Sequence, residues 1–247
     1  MLKENEVLND LLGYDGLKII QRPDLFNFSL DSTLLAHFTT INKNVKRIID
    51  LGTGNAPIPL FLSLRTKAEI IGVEIQEVSY DLAIRNIQLN NLTHQITILH
   101  DDLRNIHQKL GHHAFDVVTC NPPFFRVTED AHLNKSDFLT IARHEVMATL
   151  EDVIKEASIL LKHGGYFALV HRPDRLLDVL ELMRKYNIEP KRLRLVYPKP
   201  KRECNTILIE GRKSRQCGLR ILPPLYVYNE NNEYTDEILE IFMTKKK

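Results

Sequence analysis

Val45-Lys46-Arg47-Ile48-Ile49-Asp50-Leu51-Gly52-Thr53-Gly54-Asn55-Ala56-Pro57 opens as an apolar, β-branched run and closes on two glycines and a proline. The run from Val45 to Asp50 reads as a strand, and Pro57 to Leu64 as the helix that follows it. The glycines between them form the turn. Further along, Glu69 to Glu74 reads as a second strand and Val78 to Leu89 as a helix with Val78, Leu82 and Leu89 at helical spacing, which completes a βαβ unit. Gln95 to Leu99 gives a third strand, Phe115 to Cys120 a fourth, Leu150 to Leu161 a helix, Tyr166 to Val170 a fifth strand and Pro173 to Tyr186 a helix.

This alternation specifies an α/β, Rossmann-like fold: a mostly parallel sheet with helices on both faces, since right-handed crossovers connect parallel neighbours. The pattern breaks near the end. Arg192 to Tyr197 and Thr206 to Glu210 are joined by a link containing Pro198-Lys199-Pro200-Lys201-Arg202, too short for a crossover helix, so they pair antiparallel. Residues 1–44 read as an extension packed on the core, with a short helix near Asn5 to Leu12, a strand-like piece at Leu17 to Gln21 and a helix near Asp31 to Phe38. Residues 45–247 read as the main domain, closed by the antiparallel strands and a short helix.

The chain of 247 residues is 43% hydrophobic, enough for one large α/β core. No apolar run approaches the ~20 residues that span a bilayer, and Met1 to Asp10 is polar and acidic, so a cytoplasmic location without membrane association is expected. Cys120, Cys204 and Cys217 have no C-x-x-C spacing, and the ten histidines no H-x-E or H-E-x-x-H spacing, so free thiols and no metal site are expected. Net charge is +1, yet Arg184 to Arg215 holds eleven Lys or Arg against three acids. That excess is either a phosphate-facing surface or the solvated edges of a strand pair.

Asp50-Leu51-Gly52-Thr53-Gly54 lies where a first strand meets its helix, the crevice at which open α/β sheets bind adenosine-containing ligands. Glycines let the backbone touch the ligand, and Glu74, twenty residues beyond Gly54, stands at the end of the second strand to accept from ribose hydroxyls. NAD and S-adenosylmethionine share that ribose. A dinucleotide favours a complete G-x-G-x-x-G to cradle its pyrophosphate, and here the third glycine position is Pro57, which has no N–H to offer. The loop therefore favours S-adenosylmethionine. Asp101 or Asp102, after the third strand, can accept from the cofactor's adenine amine or simply turn the loop.

Asn121-Pro122-Pro123-Phe124 follows the fourth strand directly and selects the reaction. An exocyclic amine of adenine is a poor nucleophile because its lone pair is delocalised into the ring. The Asn121 side-chain oxygen and the Pro122 carbonyl can each accept one of its N–H groups, which positions the nitrogen and stabilises developing charge. The prolines hold these acceptors in place beforehand, and Phe124 offers a stacking surface for a base drawn out of its stack.

These motifs resemble the N-P-P-[FYW] methyltransferases of the small-domain type. The core from Val45 to Val170 matches that group in motif order. With Phe26-Asn27-Phe28-Ser29-Leu30-Asp31-Ser32-Thr33-Leu34-Leu35-Ala36, Ala142-Arg143-His144-Glu145 and His171-Arg172-Pro173, the chain resembles the bacterial tRNA(Val) adenine-37 methyltransferase family. The resemblance implies a seven-stranded sheet with its last strand antiparallel, S-adenosylmethionine as methyl donor and S-adenosylhomocysteine as product. Its acceptor would be an adenine beside the anticodon. In that group the stretch before the first motif lies over the cofactor, which brings in Phe28 and Asp31; Asp31 reads equally well as a helix N-cap. Arg126 to Thr140 reads as a long polar loop suited to covering substrate. Candidate RNA contacts are Arg126, Arg143, His144, Lys199, Lys201 and Arg202. A guanine of ribosomal RNA or a protein glutamine amide is an alternative acceptor. A nicotinamide oxidoreductase, or an RNA-binding protein without activity, are alternatives of other classes.

Overall fold

The structure, a computed structural model, describes residues 2–11, 16–24, 30–122 and 148–242. Seven long strands form the sheet: β3 (Arg47–Leu51), β4 (Glu69–Glu74), β5 (Ile96–His100), β6 (Phe115–Cys120), β7 (Leu161–His171), β8 (Ile188–Tyr197) and β9 (Thr206–Lys213). Their order is β8-β9-β7-β6-β3-β4-β5. All are parallel except β9, which lies antiparallel between β7 and β8. The strand pair read from the sequence is therefore present, with Arg192 opposite Glu210 and Val196 opposite Thr206. Two short strands not anticipated, β10 (Arg220–Ile221) and β11 (Leu225–Tyr226), pair with the outer edge of β8 and bring the sheet to nine.

The central strands are near-continuous apolar runs because both faces of the sheet are covered. Ile48, Val117, Ala168 and Val170 face one core with α1 (Leu30–Phe38), α2 (Pro57–Ser63), α3 (Glu77–Leu89) and the late helix α7 (Asp236–Phe242). Ile49, Val118, Phe167 and Leu169 face the other, under α4 (His107–Leu110), α5 (Leu150–Leu160) and α6 (Leu176–Lys185). α5 begins with a capping box in which Thr149 and Asp152 satisfy each other's backbone N–H groups. No described helix is long and apolar enough to cross a membrane.

The expected helix at Asn5 to Leu12 is corrected. Val7–Asp10 is strand β1, paired antiparallel with β2 (Lys18–Gln21). A helix of two turns has little stability of its own, whereas Ile19 and Ile20 bury against the core and present the edge of β2 as a partner. β2 is in turn held by Asn86 of α3, whose Oδ1 accepts from Ile20 N at 2.6 Å and whose Nδ2 donates to Ile20 O at 3.2 Å.

Glu210, in the middle of β9, is 1% exposed. Its carboxylate accepts from Thr40 N and Thr40 Oγ1, both at 2.7 Å, and from Arg192 at 3.0 Å. The Arg192 guanidinium lies 4.4 Å over the Phe38 ring. These contacts tie the end of α1 to the late strands. The sheet leaves no room beside Gly211: an added Cβ would run into Met183 Cε and lie 2.8 Å from Ile188 Cγ2 and 3.0 Å from the Glu189 carbonyl. Gly211→Ala is expected to destabilise the protein by about 1–3 kcal/mol through overpacking, measured as a lower urea midpoint with unchanged slope.

Candidate active site

β3 and β6 are adjacent, but from β3 the chain runs outward through β4 and β5 before returning to place β6 on the other side of β3. Such a reversal opens a crevice at the carboxyl ends of the two strands. The glycine turn leaves β3 on one side of it, and Asn121 leaves β6 on the other.

Gly52 and Gly54 hold φ of 68° and 58°, the left-handed region that costs other residues energy. A Cβ built on either would meet no atom within 4 Å, so the space against this backbone is open to a ligand. Thr53, by contrast, points inward: it is 3% exposed and its N–H donates to Val73 O at 2.9 Å. An added Cβ on Gly72 of β4 would lie 2.8 Å from Thr53 Cγ2, so the turn sits against β4 only because that strand has a glycine there. Asn55 closes the turn, donating to Ile20 O at 3.2 Å and accepting from Asn86 Nδ2 at 2.9 Å through its own carbonyl.

Glu74 is 6% exposed, and its two carboxylate oxygens accept from Gly54 N and Gln76 N, both at 2.8 Å. Burial raises its pKa, against these backbone donors. Each oxygen retains acceptor capacity beyond its one bond, which suits a pair of ribose hydroxyls. Its main-chain carbonyl also receives the Asp101 N–H at 3.1 Å, so the end of β5 is drawn to the same place. Asp101 is paired with Lys109, and Asp102 with Arg104 at 2.5 Å. For Asp102, burial opposes ionisation, but the Arg104 guanidinium and backbone N–H prevail and lower its pKa. Both acids follow the carboxyl end of β5, next to the end of β4.

Asp50 has a different place from the one its motif suggests. It is fully buried beneath the turn, opposite Thr119 of β6 and Gly72 of β4. Its Oδ1 accepts from Thr119 Oγ1 at 2.6 Å. Burial pushes its pKa up to about 7, with the Thr119 and Thr53 hydroxyls opposing and the charge of Glu74 adding to the rise.

Asn121 stands at the crevice rim, half-buried, and donates from Nδ2 to Ser32 Oγ of α1 at 3.1 Å. With Nδ2 engaged by the helix, Oδ1 is the atom left to accept from a substrate. Pro122 is buried beside it. Asp31 lies in the first turn of α1, one residue inside its start, so it is not the N-cap. It accepts from Thr206 Oγ1 at 3.4 Å and lies 4.0 Å from Arg172, which itself donates to Asn205 O at 2.9 Å. The start of α1, the end of β7 and the start of β9 thus meet next to Asn121. Phe28, Pro123, Phe124, Arg126, Arg143 and His144, with the loop from Arg126 to Thr140, lie outside the described residues.

The basic excess from Arg184 to Arg215 divides between opposite edges of the sheet. Lys199, Lys201 and Arg202 lie in the β8–β9 loop at the carboxyl edge, level with the crevice, because Ile207 pairs with His171 at the end of β7. At the far edge, Arg212 donates to Gly164 O at 2.8 Å and Lys213 is buried beside Ser158 and Tyr186. Arg192 and Arg194 are spent on Glu210 and Glu237. Of the cations in this stretch, those of the loop lie at the carboxyl edge. Ser32, Gly72, Asn86 and Thr119 complete the arrangement and were not singled out by motif reading.

This sheet order with one antiparallel strand is the class I methyltransferase fold. A predicted O-methyltransferase from Agrobacterium tumefaciens superposes with a TM-score of 0.71 at 20% identity, covering 87% of this chain and 96% of that one. A geranyl diphosphate C-methyltransferase from Streptomyces coelicolor, solved with S-adenosyl-L-homocysteine, gives 0.55 at 11% identity, covering 74% and 76%. The chain belongs to the Methyltransferase small domain family, which it matches over residues 17–186. It is 33% identical over 167 residues to a tRNA1(Val) (adenine(37)-N6)-methyltransferase of Porphyromonas gingivalis. That match covers 66% of this chain and 64% of the relative, a little under two thirds of the latter's length. With a protein of the same name from Flavobacterium psychrophilum it shares 25% identity over 94% of this chain and 97% of that one. Membership of this family removes the nicotinamide oxidoreductase reading.

Two outcomes follow from the buried groups. Asp50 holds its proton more tightly in the folded protein than at the unfolded value of about 3.9, so its contribution to stability is present below pH ~4 and is lost as pH rises through about 7. Asp50→Asn is expected to flatten that part of the profile, read from urea unfolding at pH 5 and pH 8; an unaltered pH slope contradicts it. Gly72→Ala is expected to displace Thr53 and weaken S-adenosyl-L-homocysteine binding at least tenfold (~1.4 kcal/mol), measured by calorimetry.

Proposed function

We propose that the chain transfers the methyl group of S-adenosyl-L-methionine to the exocyclic amine of an adenine in RNA, with adenine-37 of a valine tRNA the favoured acceptor. The observation that carries this reading is Asn121, held by Ser32 at the rim of the crevice beside the glycine turn. The names of the relatives favour adenine of tRNA over guanine or a glutamine amide.

The residues present fit the cofactor. Open space against Gly52 and Gly54 would admit it to the backbone, Glu74 offers a buried carboxylate for the ribose, and Asp101 or Asp102, just past β5 and beside Glu74, is the acid offered to the adenine amine. Asp50 and Thr53 act from beneath by shaping the turn. When bound, S-adenosyl-L-methionine supplies an electrophilic methyl carbon on a sulfonium.

The protein's own part is geometric. Asn121 Oδ1 and the Pro122 carbonyl each accept an N–H of the target amine, which turns its lone pair toward the methyl carbon and disperses positive charge as the new bond forms. No general base is required: the methylated amine loses its extra proton to water after transfer. Lys199, Lys201 and Arg202 attract the phosphates of the RNA from the same edge.

Asn121→Ala is expected to lower transfer by about 100-fold or more, the scale of losing one preorganised electrostatic contact, with S-adenosyl-L-homocysteine affinity nearly unchanged. Mass spectrometry of nucleosides from total tRNA is the decisive measurement. Cells lacking the enzyme should lose one N6-methyladenosine, restored by the wild-type protein and not by the variant. Full activity in Asn121→Ala overturns the proposal.

A further inference from the structure

β8 ends in Tyr197, and β11 lies beside it in parallel with Leu225 opposite Val196 and Tyr226 opposite Tyr197. Val227 N donates to Tyr197 O at 2.9 Å and Tyr228 N to Pro198 O at 3.0 Å, which locks the two backbones in this register. Side chains alternate across a strand, so burial of Leu225 and Val196 in one core sends Tyr226 and Tyr197 together to the other side. Their ring centroids are 5.5 Å apart with planes inclined by 37°.

Neither ring belongs to either hydrophobic core. Tyr226 is 36% exposed and Tyr197 half-buried, so two large aromatic surfaces stand partly in water at the end of the sheet. Pro198-Lys199-Pro200-Lys201-Arg202 begins at the next residue. The Lys201 side chain is 87% exposed, and its contact with Glu230, itself 74% exposed, is 3.4 Å long. An ion pair so open to water and salt holds little energy and yields readily to a phosphate.

The end of β8 lies on the same carboxyl edge as Asn121, three strands away from β6. At a spacing of about 4.8 Å per strand, the ends of β8 and β11 lie about 14 and 19 Å from that of β6. A short single strand that presents one base to Asn121 can reach this edge with a base a few nucleotides away.

We propose that Tyr197 and Tyr226 form a stacking platform for an unpaired base of the RNA close to the one being modified, with Lys199, Lys201 and Arg202 on its phosphates. This rests on the reading of RNA as substrate. Aromatic faces interleaved with cations are the means by which proteins grip single-stranded nucleic acid without reading its sequence. The platform would fix where the strand lies while Asn121 selects the amine.

The test is equilibrium binding of a short synthetic RNA hairpin, with 2-aminopurine in its loop beside the adenine, to the full chain carrying S-adenosyl-L-homocysteine. Tyr226→Ala is expected to weaken binding about 5- to 100-fold and to abolish the quenching of 2-aminopurine. Tyr226→Phe and Tyr226→Trp, which keep a ring, should bind and quench as the wild type does, and calorimetry should show cofactor affinity unchanged throughout. Wild-type binding of RNA with an indifferent Tyr226→Ala removes the platform and leaves the substrate reading intact. Equal loss in Tyr226→Phe also overturns the platform, since it assigns the effect to the hydroxyl. A wild-type protein that binds no RNA overturns both. Should Tyr226→Ala lose cofactor binding through misfolding, Tyr226→Trp decides: retained quenching supports stacking, and lost quenching ends it.

Discussion

The Glu74 carboxylate, nearly shut off from water, accepts the N–H of Gly54 on one oxygen and that of Gln76 on the other, while its main-chain carbonyl takes the N–H of Asp101. Removing a carboxylate from water is costly, and these donors offset that cost only while all the segments stay in place. One residue therefore couples the turn after β3, the start of α3 and the end of β5. The glycine turn is a rigid floor as a result. Thr53 packed against Gly72, and Asn55 clasped by Asn86, hold it from two further directions.

The other wall of the crevice is built differently. Asn121 is positioned from across the molecule by Ser32, near the start of α1, and the far end of that helix is tied through Thr40 and Phe38 to Glu210 and Arg192 in the late strands. Segments on either side of the central βαβ units therefore jointly set the position of the Asn121 amide. Such dependence on distant packing suits a reaction in which the protein contributes orientation and not proton transfer. Small displacements of an acceptor are costly when the nucleophile is weak.

The parallel strands were legible because each is an apolar run bounded by turn residues, and the antiparallel return of β9 because a short link rich in proline and charge leaves no space for a crossover. Spacing brought the glycine turn and Glu74 to one place, and there Gly54 N donates to the Glu74 carboxylate. Asp50 belongs to the same motif, yet the pleat turns its side chain beneath the sheet's rim, and spacing does not convey that. Ser32 and Thr119 carry no motif, since the role of Ser32 exists only once α1 lies beside Asn121 and that of Thr119 only once β6 pairs with β3. Asn86 left a trace: it shares the helical spacing of Leu82, Ala83 and Ile87, an amide on an otherwise apolar stripe. Gly72 left one as well, as a glycine inside a strand. The basic stretch misled in one respect, because a hairpin sends its two arms to opposite rims and spreads apparent local charge over the height of the sheet. The helix assigned at Asn5 to Leu12 failed because four exposed residues take their conformation from the strand they meet.

Because β9 fills the slot between β7 and β8, the last long strand to leave the ribosome is an interior one. Until Thr206 to Lys213 has emerged, β7 presents a bare edge and β8 has no neighbour through which to join the growing sheet. The nascent chain must hold a half-built layer with unpaired main-chain groups, the state most exposed to aggregation during synthesis. The loop of Lys199 to Arg202 leads directly into this segment, so the cationic rim takes its place only as the sheet closes.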